Sequence, residues 1–199
     1  MTWPFGNLPP LGFDLILADP ATRFETRSAA GEGKSPQAQY ATMTWDELAD
    51  LQPARLARGD ATLVLWACWP TLRESIKLLD DWGFRYVTGG SWIKRTKHGK
   101  TAFGTGYVLR SACEPFLIGT LGSPTYARNL RNVIETEDLT CIDAEARGHS
   151  RKPDDQYEFC ERIAPRAVRF VELFARQRWH GQGWEAWGQE ADKFAVEAV

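Results

Sequence analysis

Three stretches of this 199-residue chain hold side chains whose types and spacing could do chemistry. Phe13-Asp14-Leu15-Ile16-Leu17-Ala18 is an apolar run of strand length that stops at Asp19-Pro20, so a strand delivers a carboxylate to its C-terminal edge. Trp92 to Tyr107 holds Lys94, Arg95, Lys97, His98 and Lys100 without one acidic residue, interleaved with aromatics and glycines. Cations of that kind pair with backbone phosphates while Trp92, Phe103 or Tyr107 stack on bases, a combination suited to flexible or extruded nucleic acid. The same segment also reads as a solvated basic loop, and Arg128 and Arg131 join it only if the fold brings them near. The third stretch is the tryptophan-rich C-terminal part, with Trp179, Trp184 and Trp187. Nine tryptophans in all mean an aromatic-rich core or a planar ligand, and the core is the plainer reading.

Absences narrow the chemistry. There is no G-x-G-x-x-G, Walker loop, G-x-S-x-G or H-E-x-x-H, which removes the anchors of the common dinucleotide, triphosphate, acyl-hydrolase and zincin readings. Cys68, Cys113, Cys141 and Cys160 lie too far apart for a zinc-type spacing and read as buried thiols, and no metal is implied. His98, His149 and His180 read as loop histidines. Twenty-four basic against 26 acidic residues leave a formal charge of −2, so any attraction to nucleic acid must come from a local patch.

The elements that must position these groups follow from periodicity. Thr44-Trp45-Asp46-Glu47 has capping-box spacing and opens a short helix that Pro53 would end; Thr71 to Glu74 repeats the spacing before a helix ending at Gly83. Pro153 to Ile163 reads as a helix with proline in its first turn. Strands are expected at 13–18, 61–67, 85–88, 115–119 and 168–174, and residues 25–40 read as a long surface loop. Strands alternating with helices predict an α/β domain of three layers on a mainly parallel sheet, with residues 1–199 forming one domain. Ligands of such sheets bind at the carboxyl ends of the strands, where Asp19, Cys68-Trp69-Pro70 and Ala175-Arg176 would fall. With no apolar run near the ~20 residues of a membrane span and no signal-peptide pattern, a cytoplasmic protein is expected.

Taken in order, the motifs resemble a known family. Asp19-Pro20 at a strand end, Ser35-Pro36-x-x-x-Tyr40-x-Thr42-Met43, Trp66, Trp92-x-Lys94, Gly104-x-Gly106-Tyr107, Glu114, Leu117-x-Gly119, His149-Ser150-x-Lys152-Pro153-Asp154 and Glu172-Leu173-Phe174-Ala175-Arg176 resemble the MT-A70-like N(6)-adenine methyltransferases, especially compact bacterial and phage members. The resemblance covers nearly the whole chain. It implies a Rossmann-like methyltransferase fold with permuted motif order, S-adenosylmethionine as cofactor, and DNA, single- or double-stranded, with an extruded adenine as partner. A homodimer or an accessory subunit is left open. It further implies that Asp19, Pro20, Ala21 and Thr22 occupy the catalytic tetrapeptide. Asp19, Lys152, Phe174, Arg176, Arg178, Gln189 and Glu190 would be the cofactor-binding residues, with Gln189 and Glu190 toward the ribose. Lys94, Arg95, Lys97, Lys100 and Tyr107 are the expected nucleic-acid contacts.

The chemistry agrees with this placement. Adenine's 6-amino nitrogen shares its lone pair with the ring and attacks a methyl sulfonium poorly unless its two hydrogens are held by acceptors. A carboxylate and a carbonyl at one turn are two such acceptors, the types offered by Asp19 and Pro20. The sequence departs from the family where Ala21-Thr22 stands in place of Pro-Trp, so the stacking face is missing. Base stacking is worth ~1–3 kcal/mol, which predicts a weakened engagement of the base; Trp69, Trp66 or Trp45 are candidates for a substitute face. Arg178-Trp179 also stands where members often have His-Asn. Two competing readings are a catalytically silent homologue that keeps cofactor and nucleic-acid binding, and an adenine methyltransferase acting on RNA.

Overall fold

The apolar runs form the central strands of one sheet because both of their faces are covered. The computed structural model describes residues 2–22, 42–96, 98–104, 106, 108–135 and 151–194. Their elements are β1 (Phe13–Ala18), α1 (Trp45–Ala49), β2 (Ala57–Trp66), α2 (Leu72–Asp81), β3 (Arg85–Ile93), β4 (Cys113–Leu121), β5 (Val133–Glu135), α3 (Asp155–Ile163), β6 (Phe170–Leu173) and β7 (Trp184–Trp187). The strands form a sheet in the order β5-β3-β4-β2-β1-β6-β7. Only β4 runs against its neighbours, β2 and β3; the other four pairings are parallel. The expectation of an α/β Rossmann-like, mainly parallel sheet is met.

Alternation along each strand divides the core in two. Ile16, Ala18, Leu63, Leu65, Leu117, Val171 and Leu173 pack with Leu48 of α1 and Leu78 and Leu79 of α2. Leu15, Leu17, Val64, Trp66, Phe116, Ile118 and Phe170 pack with Tyr157, Cys160 and Ile163 of α3. Helices on both faces make the three layers. Gly119 permits the close seating of α2, since a Cβ there would lie 3.0 Å from both Leu79 and Phe84. No helix among the described residues is long and apolar enough to cross a membrane.

Several local expectations change. The capping box at Thr44 forms in both directions, Glu47 N–H to Thr44 Oγ1 at 3.2 Å and Thr44 N–H to Glu47 Oε2 at 2.7 Å. The one at Thr71 does not, because a short 3-10 turn at Trp69–Thr71 precedes α2 and the Thr71 hydroxyl turns back to the Cys68 carbonyl. Pro153 lies before the helix that it was expected to enter, with Asp154 as N-cap. Strands β5 and β7 were unforeseen: one has three residues and the other, Trp-Glu-Ala-Trp, is a half-buried edge. Of the cysteines expected buried, Cys160 is, Cys113 is half-buried and Cys68 is exposed; Cys141 and the 25–40 loop lie outside the described residues.

Candidate active site at the carboxyl edge of the sheet

Because every strand but β4 points the same way, the carboxyl ends of β1, β2, β3, β6 and β7 meet the amino end of β4 at one edge. This single reversal places Asp19, Cys68, Lys94, Glu114 and Phe174 together, from five different strands. Lys152, just before α3, reaches into their midst. Its Nζ donates to both oxygens of Asp19, at 2.9 and 2.8 Å, lies 3.4 Å from Glu114, and sits 5.3 Å above the Trp66 ring. Lys94 donates to the other side of Glu114, and the Trp66 indole is fixed by Gln156 at 2.8 Å. The result is an alternating row, Asp19, Lys152, Glu114, Lys94. Burial works against the charge on Lys152, yet the carboxylates of Asp19 and Glu114 hold its pKa above the ordinary value. Burial likewise pushes the Glu114 carboxyl up, but the Lys152 and Lys94 ammoniums outweigh it and keep the pKa low. Both groups therefore stay ionised.

Beside this row a small cleft is lined by Asp19, Lys152, Arg151, Glu172, Phe174, Arg176 and their neighbours. Its wall is a chain of hydrogen bonds. Arg151 donates to Gln177 Oε1 at 2.6 Å; Gln177 donates to Asp154 at 2.8 Å and to the Tyr157 hydroxyl at 3.1 Å; Tyr157 donates to Glu172 at 2.7 Å. The Arg151 Nε–H, buried in this wall, has no hydrogen-bond partner among the described residues. Such a donor calls for an acceptor from a ligand or water.

Burial raises the Glu172 carboxyl to about 8, against the opposing donation from Tyr157. The folded state then binds a proton that the unfolded chain releases, so stability falls as pH rises from about 4.5 to about 8. Glu172→Gln, which keeps the shape and removes the titration, is expected to flatten that slope; denaturant midpoints measured across this range check it.

The loop after β6 is strained into place. Phe174 adopts φ +62°, a left-handed conformation that costs a non-glycine residue roughly 1–2 kcal/mol. The Ala175 N–H donates to the Trp187 carbonyl at 3.0 Å, and Phe174 packs edge-on to Trp187, 5.5 Å between centroids. Gly188 is needed there, since a Cβ would meet the Ala175 backbone at 2.6 Å. Arg176 pairs with Glu190 at 3.0 Å, and Lys193 pairs with the other Glu190 oxygen at 2.6 Å.

Of the expected cofactor residues, Asp19, Lys152, Phe174 and Arg176 thus share one cleft, and Glu190 is tied to Arg176. Arg178 instead lines a second cleft beside Phe5 and Trp187, and pairs with Asp192; Gln189 is exposed and lines neither. Pro20 follows Asp19 directly; the Ala21 carbonyl accepts from the Met43 N–H at 3.0 Å, and Thr22 bridges to Met43. In the basic segment Lys94 is engaged with Glu114, Arg95 pairs with Glu135 at 2.8 Å, and Lys100 is exposed; Lys97 and Tyr107 lie outside the described residues. Arg151, Tyr157 and Gln177 were missed from the sequence. Their only signal was adjacency to Lys152, Asp154 and Arg176.

An acidic turn at the carboxyl edge of the strands, an ion-paired row and an adjoining cleft on a three-layer α/β sheet accord with a Rossmann-like fold of the methyltransferase kind. The chain belongs to the MT-A70 family, whose model matches residues 13–190. It is 31% identical over 180 residues to an N(6)-adenosine-methyltransferase MT-A70-like protein of Arabidopsis thaliana, covering 89% of this chain and 24% of that protein. It is 28% identical over 212 residues to the type II methyltransferase M.MunI of Mycoplasma sp, covering 97% and 84%. To the human N(6)-adenosine-methyltransferase catalytic subunit METTL3 it is 30% identical over 155 residues, covering 77% and 25%. The chain spans about a quarter of the length of the plant relatives it matches.

Proposed function

We propose that this protein transfers a methyl group from S-adenosylmethionine to the 6-amino group of adenine in DNA. The observation that carries the reading is the Asp19 carboxylate, oriented by Lys152 at the mouth of the cleft. Each carboxylate oxygen offers two lone-pair directions, and Lys152 takes one on each. The remaining ones can accept from the adenine amine, with the Pro20 carbonyl as second acceptor. Holding both N–H groups concentrates electron density on the nitrogen and fixes its approach.

The residue types lining the cleft suit the groups of the cofactor. Arg151, through its Nε–H, and Arg176 would hold a carboxylate; the Asp19 carboxylate would face a cationic group, while the protonated Glu172 would offer a neutral hydrogen-bonding group; Phe174 supplies an apolar wall. When bound, S-adenosylmethionine supplies an electrophilic methyl on a sulfonium. The cofactor-binding set we propose is Asp19, Arg151, Lys152, Phe174 and Arg176, with Glu190 joined to it through Arg176; Arg178 and Gln189 stand outside this cleft.

DNA is favoured by the similarity to the type II methyltransferase M.MunI, which runs along 84% of that protein against about a quarter of the adenosine methyltransferases. Phosphate contacts would come from Arg95, Lys97 and Lys100, and a stacking contact from Tyr107 of the same segment, while Lys94 is engaged at Glu114 and Arg95 would exchange Glu135 for phosphate. Neutralising Arg95, Lys97 and Lys100 together is expected to weaken DNA binding and lower the salt slope by about 0.7–0.9 for each phosphate that is no longer neutralised; an unaltered slope in binding titrations would make this segment a plain surface loop.

The deciding assay is transfer of labelled methyl to single-stranded DNA, double-stranded DNA and RNA, followed by nucleoside digestion. Labelled N(6)-methyldeoxyadenosine from DNA is expected. Label in RNA alone would move the activity to RNA. Cofactor binding without transfer to any substrate would favour the silent homologue to which Ala21-Thr22 points.

A further inference from the structure

An extruded base needs a flat face to rest on, and neither Ala21 nor Thr22 offers one beside Asp19. Among the described residues, the aromatic rings around the edge differ in availability. Trp66 is 3% exposed, wedged between Lys152, Trp92 and Phe116. Trp45 is packed against the first core at the start of α1. Phe103 is exposed, but Arg110 lies over its ring at 5.6 Å. Tyr86 is exposed near the start of β3, at the opposite edge of the sheet. Trp69 is 50% exposed at the carboxyl end of β2, the strand beside β1.

Two ties hold Trp69 at the site. It follows Cys68, whose thiol feels the charges of Lys152, Glu114, Asp19 and Lys94. Its indole N–H donates to the carbonyl of Cys113, the residue before Glu114, at 3.3 Å. The 3-10 turn at Trp69–Thr71, begun by Pro70 at its second position, makes the ring's backbone rigid. A large apolar ring kept half in water by a fixed backbone and an edge-on hydrogen bond has no role in either core cluster.

We propose that Trp69 is the stacking platform for the target base, taking from β2 the role that the turn after Asp19 leaves vacant. The inference rests on the proposed adenine methyl transfer and adds the residue that grips the substrate. Stacking on one face is worth ~1–3 kcal/mol, which converts to roughly a five- to two-hundred-fold effect.

The test compares the full chain with Trp69→Ala, Trp69→Phe and Asp19→Ala. In methyl transfer, Trp69→Ala is expected to lose roughly five- to two-hundred-fold in kcat/KM for DNA. Trp69→Phe should stay within a few-fold, with S-adenosylmethionine affinity and the thermal midpoint unchanged in both. A Trp69→Ala enzyme as fast as the unaltered chain, with Asp19→Ala inactive, overturns the platform and leaves the methyltransferase reading standing. A second readout is independent of turnover: the unaltered chain should prefer an oligo(dA) strand over an abasic strand of the same length, and Trp69→Ala should lose that preference while keeping its salt slope. Equal preference in both proteins overturns the inference, and a chain that stacks bases but transfers no methyl overturns the function instead.

Discussion

Asp19→Ala is expected to reduce methyl transfer by on the order of 10²–10³-fold, the loss typical of removing one preorganised hydrogen-bonding group from a reacting centre. The alanine leaves the amine with a single carbonyl acceptor, while the cleft keeps Arg151, Glu172, Phe174 and Arg176. Cofactor affinity should fall much less than turnover, because the other proposed cofactor contacts remain. Isothermal titration with S-adenosylmethionine, run beside the transfer assay, separates the two effects; unchanged turnover would remove Asp19 from the chemistry. The same variant should be only modestly destabilised, because Lys152 keeps Glu114 as a counter-ion at 3.4 Å. Asp19→Asn keeps one oxygen acceptor but presents an N–H where an acceptor is needed, so it should also be slow.

The second large effect is on folding. Lys152 is 9% exposed and neutralises two carboxylates at once. Removing the partner from a buried pair typically costs about 3–5 kcal/mol. At about 2–4 °C per kcal/mol for a chain of this size, Lys152→Met should lower the thermal midpoint by about 6–20 °C. The sign with pH follows from the two shifts. Glu114 has a lowered pKa, so its contribution is present above the ordinary carboxylate value of 4.5 and is lost as pH falls through the folded-state value. Lys152 has a raised pKa, so its contribution is present below 10.5 and is lost as pH rises through its higher folded-state value. The unaltered protein should thus hold this contribution between about pH 4.5 and 10.5. In Lys152→Met, mild acidification should restore stability as a carboxyl takes up a proton. Thermal midpoints of both proteins across this range are the check, and a variant as stable as the parent at neutral pH would show that the row is solvated rather than buried.

Several features of this architecture are local and could be read before any coordinates. The run at residues 13–18 ends at Asp19-Pro20 because proline cannot continue the ladder, and that rule alone places a carboxylate on the sheet edge. The capping box at Thr44 forms because both of its partners lie within one turn. The Thr71 box shows the limit of such rules, since Pro70 and the 3-10 turn spend the hydroxyl elsewhere. Strands β5 and β7 are too short or too exposed to leave a periodic trace, and they exist because β3 and β6 offer them an open edge.

The fold class, the strand that ends in Asp19, the MT-A70 motif order and the absence of the usual stacking tryptophan were all legible in the residues alone, because each is contained in a few consecutive positions or in the order of short motifs. It took the three-dimensional arrangement to establish that Lys152 grips Asp19 across 133 residues, that Glu114 shares that lysine, and that Lys94 faces the same carboxylate. The same arrangement leaves Trp69, rather than Trp66 or Trp45, with an open face. The reason is physical: charge pairing and exposure depend on which strand ends become neighbours, and a single antiparallel strand, β4, is what turns Glu114 toward the carboxyl edge of the others.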